Sequence, residues 1–136
     1  MKELTVDAKV ENLDEVLAFL REELEAHDCP PAKEMQMEVA AEELFVNVAN
    51  YAYDGGDGKI TVSIDVAEGN SCEISFKDSG APFDPLAKED PDVTLSAEER
   101  PIGGLGIYMV KKSMDAVEYE YRNGQNVLLI RKILSK

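Results

Sequence analysis

Residues 34–53 read EMQMEVAAEELFVNVANYAY, a helix-like run in which polar residues interrupt an apolar sequence at regular intervals. Four polar residues stand at helical spacing and line up as one stripe: Glu43, Asn47, Asn50 and Asp54. Apolar residues around the stripe predict a helix largely enclosed by protein: Val39, Leu44, Val46, Val48, Ala49 and Ala52. We expect catalytic or ligand-binding residues on this stripe. For the helix taken alone, a network of hydrogen-bonded polar side chains or a solvated polar face also fits.

The composition predicts a single globular domain spanning residues 1–136. With 136 residues, of which 44% are apolar, the chain can bury a core but is too short for two ordinary domains. Its formal net charge of −14 would repel nucleic acid and anionic membrane surfaces, so we expect no direct binding to either. The sequence has no secretory apolar region and no apolar run of membrane-spanning length, which predicts a cytoplasmic protein.

The cysteines and the histidine restrict the available chemistry. Cys29 and Cys72 form no zinc-type spacing, so we expect two free thiols in a reducing compartment. His27 is the one histidine of the chain and falls in a predicted turn between helices. Mechanisms that need a histidine base, nucleophile or metal ligand therefore have little to draw on.

The hydrophobic periodicities predict the order strand, helix, helix, strand, strand, lid, helix, strand, strand. Asn12 is predicted to cap the first helix, with Glu15 three residues later as in a capping box. The other boundaries are a first strand over residues 3–10, a hairpin over 60–76, a lid over 84–102 and a final hairpin turning at Asn123-Gly124. We expect an α+β fold, a two-layer sandwich whose mixed, mainly antiparallel sheet is covered on one face by helices.

A second block follows the predicted second hairpin strand, where residues 77–85 read KDSGAPFDP. Asp78 leaves the strand and can accept a hydrogen bond from an exocyclic amino group, and Gly80 lets a flat ring approach the backbone. This pairing suits a purine such as adenine. Taken alone, the same residues also fit an ordinary Asp-x-Gly turn.

A third block reads GGLGI over residues 103–107, where the predicted lid gives way to a helix. Glycines at a helix N-terminus expose backbone N–H groups, and the helix dipole favours the negative charge of a phosphate. The phosphate-binding candidates are Gly103, Gly104, Leu105 and Gly106. A lone glycine cluster is a weak signal, so the succession of blocks, each suited to a different part of one nucleotide, carries the inference.

Together these blocks resemble the GHKL superfamily of ATPases and kinases, which share the Bergerat ATP-binding fold, and within it the bacterial anti-sigma factor serine/threonine kinases. The resemblance covers nearly the whole chain, and its most specific phrases are DSGAPFDP and GGLGIYMVKKSMD. It implies ATP and Mg²⁺ as cofactors, with Glu43 as general base and Asn47 as the Mg²⁺ ligand. It further implies that Asp78 binds adenine beside Gly80, and that the glycines of the third block lie near the phosphates.

The resemblance also implies partners. It predicts a kinase that phosphorylates an anti-anti-sigma antagonist, sequesters a sigma factor and, by analogy with relatives, forms a homodimer. Asn50, a further nucleotide-binding candidate, and Tyr51 stand where many relatives carry His or Lys, which puts one phosphate-side contact in doubt. Arg100 could neutralise phosphate charge or contact a partner, although a solvated lid residue is the favoured interpretation. Two alternatives remain, an ATP-binding module that holds a partner without phosphotransfer and an ATPase that drives its own dimerisation; Glu43 disfavours the passive module.

Overall fold

The computed structural model describes residues 1–53, 57–67, 70–82, 84–87 and 105–134. Its helices and strands follow the predicted order: β1 (Lys2–Asp7), α1 (Leu13–Ala26), α2 (Pro31–Tyr51), β2 (Lys59–Ala67), β3 (Ser71–Asp78), α3 (Leu105–Ser113), β4 (Ala116–Arg122) and β5 (Gln125–Ile133). Two short 3₁₀ helices, Val10–Asn12 and Pro85–Ala87, complete the described elements. Asp54, part of the first hairpin turn and lid residues 88–102 lie outside the described residues.

The five strands form one sheet in the order β1-β2-β3-β5-β4. All four pairings between these strands are antiparallel, so the described sheet is more uniform than the mixed sheet we expected. β3 lies in the centre, and its last residue, Asp78, pairs with Ile60 on one side and Asn126 on the other. This register places two polar residues side by side at the end of the central strand.

Alternation along the strands defines the face that packs against the helices. β2, β3 and β5 turn a continuous apolar surface to that face, as expected for strands with period-two patterning. Its buried members are Ile60, Val62, Ile64, Val66, Cys72, Ile74, Phe76, Leu128 and Ile130. α1 and α2 complete the core through their own buried apolar faces, so the predicted α+β two-layer sandwich is confirmed.

α2 is the central helix of the helical layer. One side of it is buried through Met37, Ala40, Ala41, Leu44, Phe45 and Val48. The prediction of an enclosed helix was wrong at Val39, whose side chain is 58% exposed. Val39 lies four residues from Met35, so both occupy the helix side that faces away from the sheet.

Asn12 does not cap α1, contrary to the predicted capping box. Asn12 ends the 3₁₀ helix Val10–Asn12, and its Nδ2 donates a hydrogen bond to the Asp7 carbonyl at 2.9 Å. A cap needs extended backbone and an oxygen aimed at the next turn, whereas Asn12 has φ −94° and ψ 3°. The predicted first strand likewise stops at Asp7 because the chain turns there.

The final hairpin turn is confirmed. Asn123 and Gly124 both adopt positive φ, 55° and 76°, as a two-residue type I′ hairpin requires. Both cysteines are free, as predicted, and the structure shows that both are buried. Within the described part of the chain, no helix is long and apolar enough to cross a membrane.

Candidate functional site

Glu43 and Asn47 form a hydrogen-bonded pair in the middle of α2. The Asn47 Nδ2 donates to the Glu43 carbonyl at 2.9 Å and to its Oε1 at 3.2 Å. Both side chains are partly buried. With the amide nitrogen turned toward Glu43, no hydrogen bond from the described residues engages the Asn47 Oδ1. The pair therefore presents a carboxylate and a neutral oxygen, one helical turn apart.

Gly106 brings the first turn of α3 against this pair. A Cβ built on Gly106 would lie only 2.1 Å from the Cδ and Oε1 atoms of Glu43, so a side chain at residue 106 would displace the carboxylate. This close approach is a physical reason for glycine at this position. The Glu43 carboxylate thus lies beside a helix N-terminus, where the dipole favours negative charge.

Asp78 is buried at the end of β3, with its side chain 3% exposed. Its Oδ1 accepts hydrogen bonds from the Gly80 backbone N–H and from the Asn126 Nδ2, both at 2.9 Å. No hydrogen bond from the described residues engages Oδ2. This arrangement fixes the carboxylate through one oxygen and leaves the other for an external donor.

The turn that follows Asp78 packs against the C-terminal end of α2. The Ala81 N–H donates to the Ala52 carbonyl at 3.0 Å, and the Tyr53 hydroxyl accepts from the Ser79 N–H at 2.9 Å. A Cβ on Gly80 would meet the Ala52 carbonyl oxygen at 2.1 Å, so glycine permits this close packing. Glu43 precedes Ala52 by nine residues, so about 13 Å of helix separates the Glu43–Asn47 pair from the turn that contains Asp78 and Gly80. That separation suits the two ends of a nucleoside triphosphate.

Asn126 is the main residue that the sequence analysis missed. It is buried, donates to Asp78 and to the Ala81 carbonyl at 2.9 Å, and accepts a hydrogen bond from the Tyr119 hydroxyl. The sequence did carry one signal for it: Asn126 is a polar residue at one of the alternating positions of β5, the next two of which are apolar and buried. Only the pairing of β3 with β5 shows that Asp78 is its neighbour.

The remaining predicted residues are distributed as follows. Asn50 lies on an exposed side of α2, and Leu105 is the first residue of α3. Arg100, Gly103 and Gly104 lie outside the described residues. The structure therefore groups Glu43 with Asn47 and Gly106, and Asp78 with Gly80.

The donor set is suited to a Mg²⁺ ion held mainly by a nucleotide. Within the described ranges, no group of three or more His, Cys, Asp or Glu side chains could hold a metal ion. Asn47 offers one neutral oxygen, and Mg²⁺ commonly takes its other ligands from substrate phosphates and water. Asn47 therefore fits the role of a single protein ligand to a nucleotide-borne ion.

The antiparallel sheet under a helical layer and the polar clusters along α2 fit a nucleotide-binding domain of the ATPase and kinase type. The chain belongs to the family described as the histidine kinase-like ATPase domain, whose model matches residues 6–132. The predicted membership of the GHKL group is thereby confirmed.

Curated proteins that are similar to this chain in sequence include protein kinases. The chain is 31% identical over 105 residues to the serine-protein kinase RsbW of Listeria monocytogenes, an alignment that covers 74% of this chain and 66% of the relative. It is also 31% identical over 101 residues to RsbW of Bacillus cereus, covering 71% of this chain and 62% of that relative. The aligned region is thus somewhat under two thirds of these relatives' length.

Solved structures confirm the fold. The RsbU and RsbW domains of a Mycobacterium tuberculosis protein superpose with a TM-score of 0.67 at 19% identity, covering 100% of this chain and 33% of that one. The mycobacterial sensor histidine kinase MprB superposes with a TM-score of 0.54 at 16% identity, covering 96% of this chain and 97% of that one.

Proposed function

We propose that this protein is an ATP- and Mg²⁺-dependent serine/threonine protein kinase. The observation that carries the proposal is the Glu43–Asn47 pair, held on α2 against Gly106. Similarity to serine-protein kinases supports a protein acceptor. Glu43, Asn47, Asp78 and Gly80 are the residues to which we assign direct roles, together with the glycines of residues 103–106.

Glu43 acts as the general base in this proposal. A carboxylate can accept the proton of a seryl or threonyl hydroxyl as that oxygen attacks phosphorus, and the acceptor must lie within hydrogen-bond reach of it. The bond from Asn47 orients the carboxylate. The Asn47 Oδ1 would hold a nucleotide-bound Mg²⁺, which supplies charge neutralisation at the phosphates when bound.

Asp78 recognises the base of the nucleotide in this proposal. Its Oδ2 accepts from the exocyclic amino group of adenine, while Asn126 and the Gly80 N–H hold Oδ1. A purine with a carbonyl in place of that amino group would meet an acceptor and lose the bond. The site would therefore favour ATP over GTP.

The proposed partners follow from the similarity to RsbW and the family resemblance. The kinase phosphorylates an anti-anti-sigma antagonist and sequesters a sigma factor, with exchange of partners as the switch. The chain acts in the cytoplasm, as a homodimer, and makes no direct contact with nucleic acid. Its net charge of −14 supports the last point, because it repels phosphate backbones.

The test separates nucleotide binding from transfer. Calorimetric titration with ATP, with and without Mg²⁺, measures binding, and mass spectrometry of an anti-anti-sigma protein incubated with Mg-ATP measures transfer. Glu43→Ala should lower transfer by about 10²–10⁴-fold while ATP still binds. Glu42→Ala, an exposed neighbour on α2, is the matched control and should leave both unchanged.

Three outcomes would contradict parts of the proposal. Equal loss of binding and transfer in folded Glu43→Ala would refute the base assignment. Unchanged ATP affinity in Asp78→Asn would remove Asp78 from the site. Strong binding of Mg-ATP with no transfer by the wild type would leave the passive ATP-binding module as the function.

A further inference from the structure

An exposed apolar groove runs between α2 and α3 and ends at Glu43. Its volume is about 410 Å³, and Met35, Val39 and Met109 form much of its walls. These three side chains are 66%, 58% and 55% exposed, unusually open for large apolar residues. Glu43 and Gly106 form the end of the groove, so it opens directly onto the proposed site of transfer.

The α2 wall of the groove continues in line with the proposed catalytic pair. Met35, Val39 and Glu43 follow one another at intervals of four residues, and Asn47 extends the same line. Helical rise places Val39 about 6 Å and Met35 about 12 Å from Glu43 along the axis. Whatever lies in this groove therefore reaches the carboxylate at one end and the apolar residues at fixed distances beyond it.

We propose that this groove binds the segment that carries the acceptor hydroxyl and selects apolar residues beside it. The inference rests on the proposed kinase function. In an extended segment, side chains two and four residues away from the acceptor point to the same side, about 7 and 13 Å along the chain. Those distances match Val39 and Met35, so the acceptor motif is a Ser or Thr with apolar residues at the second and fourth positions on one side.

The charges of the groove support a neutral segment. Glu43 is its one ionisable residue among the described lining, and the chain as a whole carries a net charge of −14. An acidic residue beside the acceptor would be repelled, and no basic residue of the described lining would compensate for it. The exposed methionines are flexible and polarizable, which suits apolar side chains of varying shape.

Methionine methyl NMR tests the inference without relying on transfer. The chain has five methionines, of which Met37 and Met114 are buried and Met1 is exposed elsewhere, so three internal controls accompany Met35 and Met109. The probes are two synthetic serine peptides, one with leucines at the second and fourth positions and one with asparagines there, each added with a non-hydrolysable Mg-ATP analogue. We expect the leucine peptide to shift the Met35 and Met109 signals and the asparagine peptide to leave them in place.

Charge substitutions in the groove provide the second measurement. Met35→Asp and Met109→Asp should weaken binding of the leucine peptide at least tenfold without changing affinity for the ATP analogue. Val10→Asp, at an exposed apolar residue outside the groove lining, is the control and should change neither.

Absence of shifts at Met35 and Met109, equal shifts at Met1, or equal binding of the two peptides would overturn the inference. Because nucleotide binding is measured separately, such a result leaves the kinase proposal standing. Conversely, selective peptide binding, together with no transfer from Mg-ATP to the anti-anti-sigma protein, would support the groove and refute the kinase proposal.

Discussion

Gly106→Ala gives a direct test of the contact between α3 and the proposed base. The new Cβ would lie 2.1 Å from the Glu43 Oε1, whereas ordinary van der Waals contacts begin near 3.4 Å. The difference, 3.4 − 2.1 = 1.3 Å, is the smallest displacement that relieves the overlap if the carboxylate moves directly away. A shift of this size away from Asn47 would lengthen the hydrogen bond from the Asn47 Nδ2, which is 3.2 Å long, beyond hydrogen-bonding distance.

The expected effect is large on transfer and small on stability. Misplacing a catalytic group by about 1 Å costs on the order of 10²-fold in rate, so we expect a loss of that size in transfer to the acceptor protein. Alanine is favoured over glycine in a helix by up to about 1 kcal/mol, which offsets the cost of moving a flexible side chain. Urea unfolding should therefore differ from wild type by about 1 kcal/mol or less.

A double-mutant cycle identifies the cause. If Gly106→Ala acts by displacing the carboxylate, it should cause little further loss in a Glu43→Ala background, because the displaced group is already absent. The same fold-loss in both backgrounds would show that Gly106 acts elsewhere, for example on the phosphates. Unchanged transfer in the single variant would refute the role of this contact altogether.

Two further predictions concern the buried groups around β3. Asn126→Ala removes hydrogen bonds to Asp78 and to the Ala81 carbonyl. The free energy of unfolding, measured by urea titration, should therefore fall by about 2–3 kcal/mol, and ATP affinity, measured by calorimetry, should decrease. Unchanged ATP affinity would contradict the role of Asn126 in positioning Asp78. Burial raises the pKa of the Cys72 thiol from 9.0 to about 12, so the unfolded chain loses this proton first and stability falls as pH rises through that window. Between about pH 8 and 10 the free energy of unfolding should fall by about 1 kcal/mol, and Cys72→Val should flatten this part of its pH dependence. If the free energy of unfolding changed equally with pH in both proteins, Cys72 would not be the responsible group.

Local patterns were sufficient to predict most of the architecture. Period-two apolar residues predicted the strands, and the Asn123-Gly124 turn, whose residues tolerate positive φ, fixed the final hairpin. The Glu43 and Asn47 pair followed from helical spacing alone, because residues four apart share a face in any α-helix. These features depend only on neighbours in sequence.

The failures arose where a residue's role depends on distant parts of the chain. Asn126 contacts Asp78, 48 positions away, because β3 pairs with β5 in one particular register. The residues around Asn126 in the sequence do not indicate that register. Val39 is apolar, but it lies one helical turn before Glu43, on the side of α2 that the sheet does not cover. Asn12 carried a capping signal, yet its side chain bonds backward to Asp7 because a 3₁₀ turn precedes the helix.

The proposed site and groove explain why α2 has two different sides. Its buried side fixes the helix against the sheet, so the line from Met35 to Asn47 is held on a rigid element. Phosphoryl transfer requires the attacking and leaving oxygens to lie roughly in line through phosphorus. In the proposed arrangement the nucleotide base lies toward the C-terminal end of α2, near Ala52, and the acceptor segment toward its N-terminal half. The two substrates therefore approach Glu43 from opposite directions along one helix, which is the geometry that an in-line displacement needs.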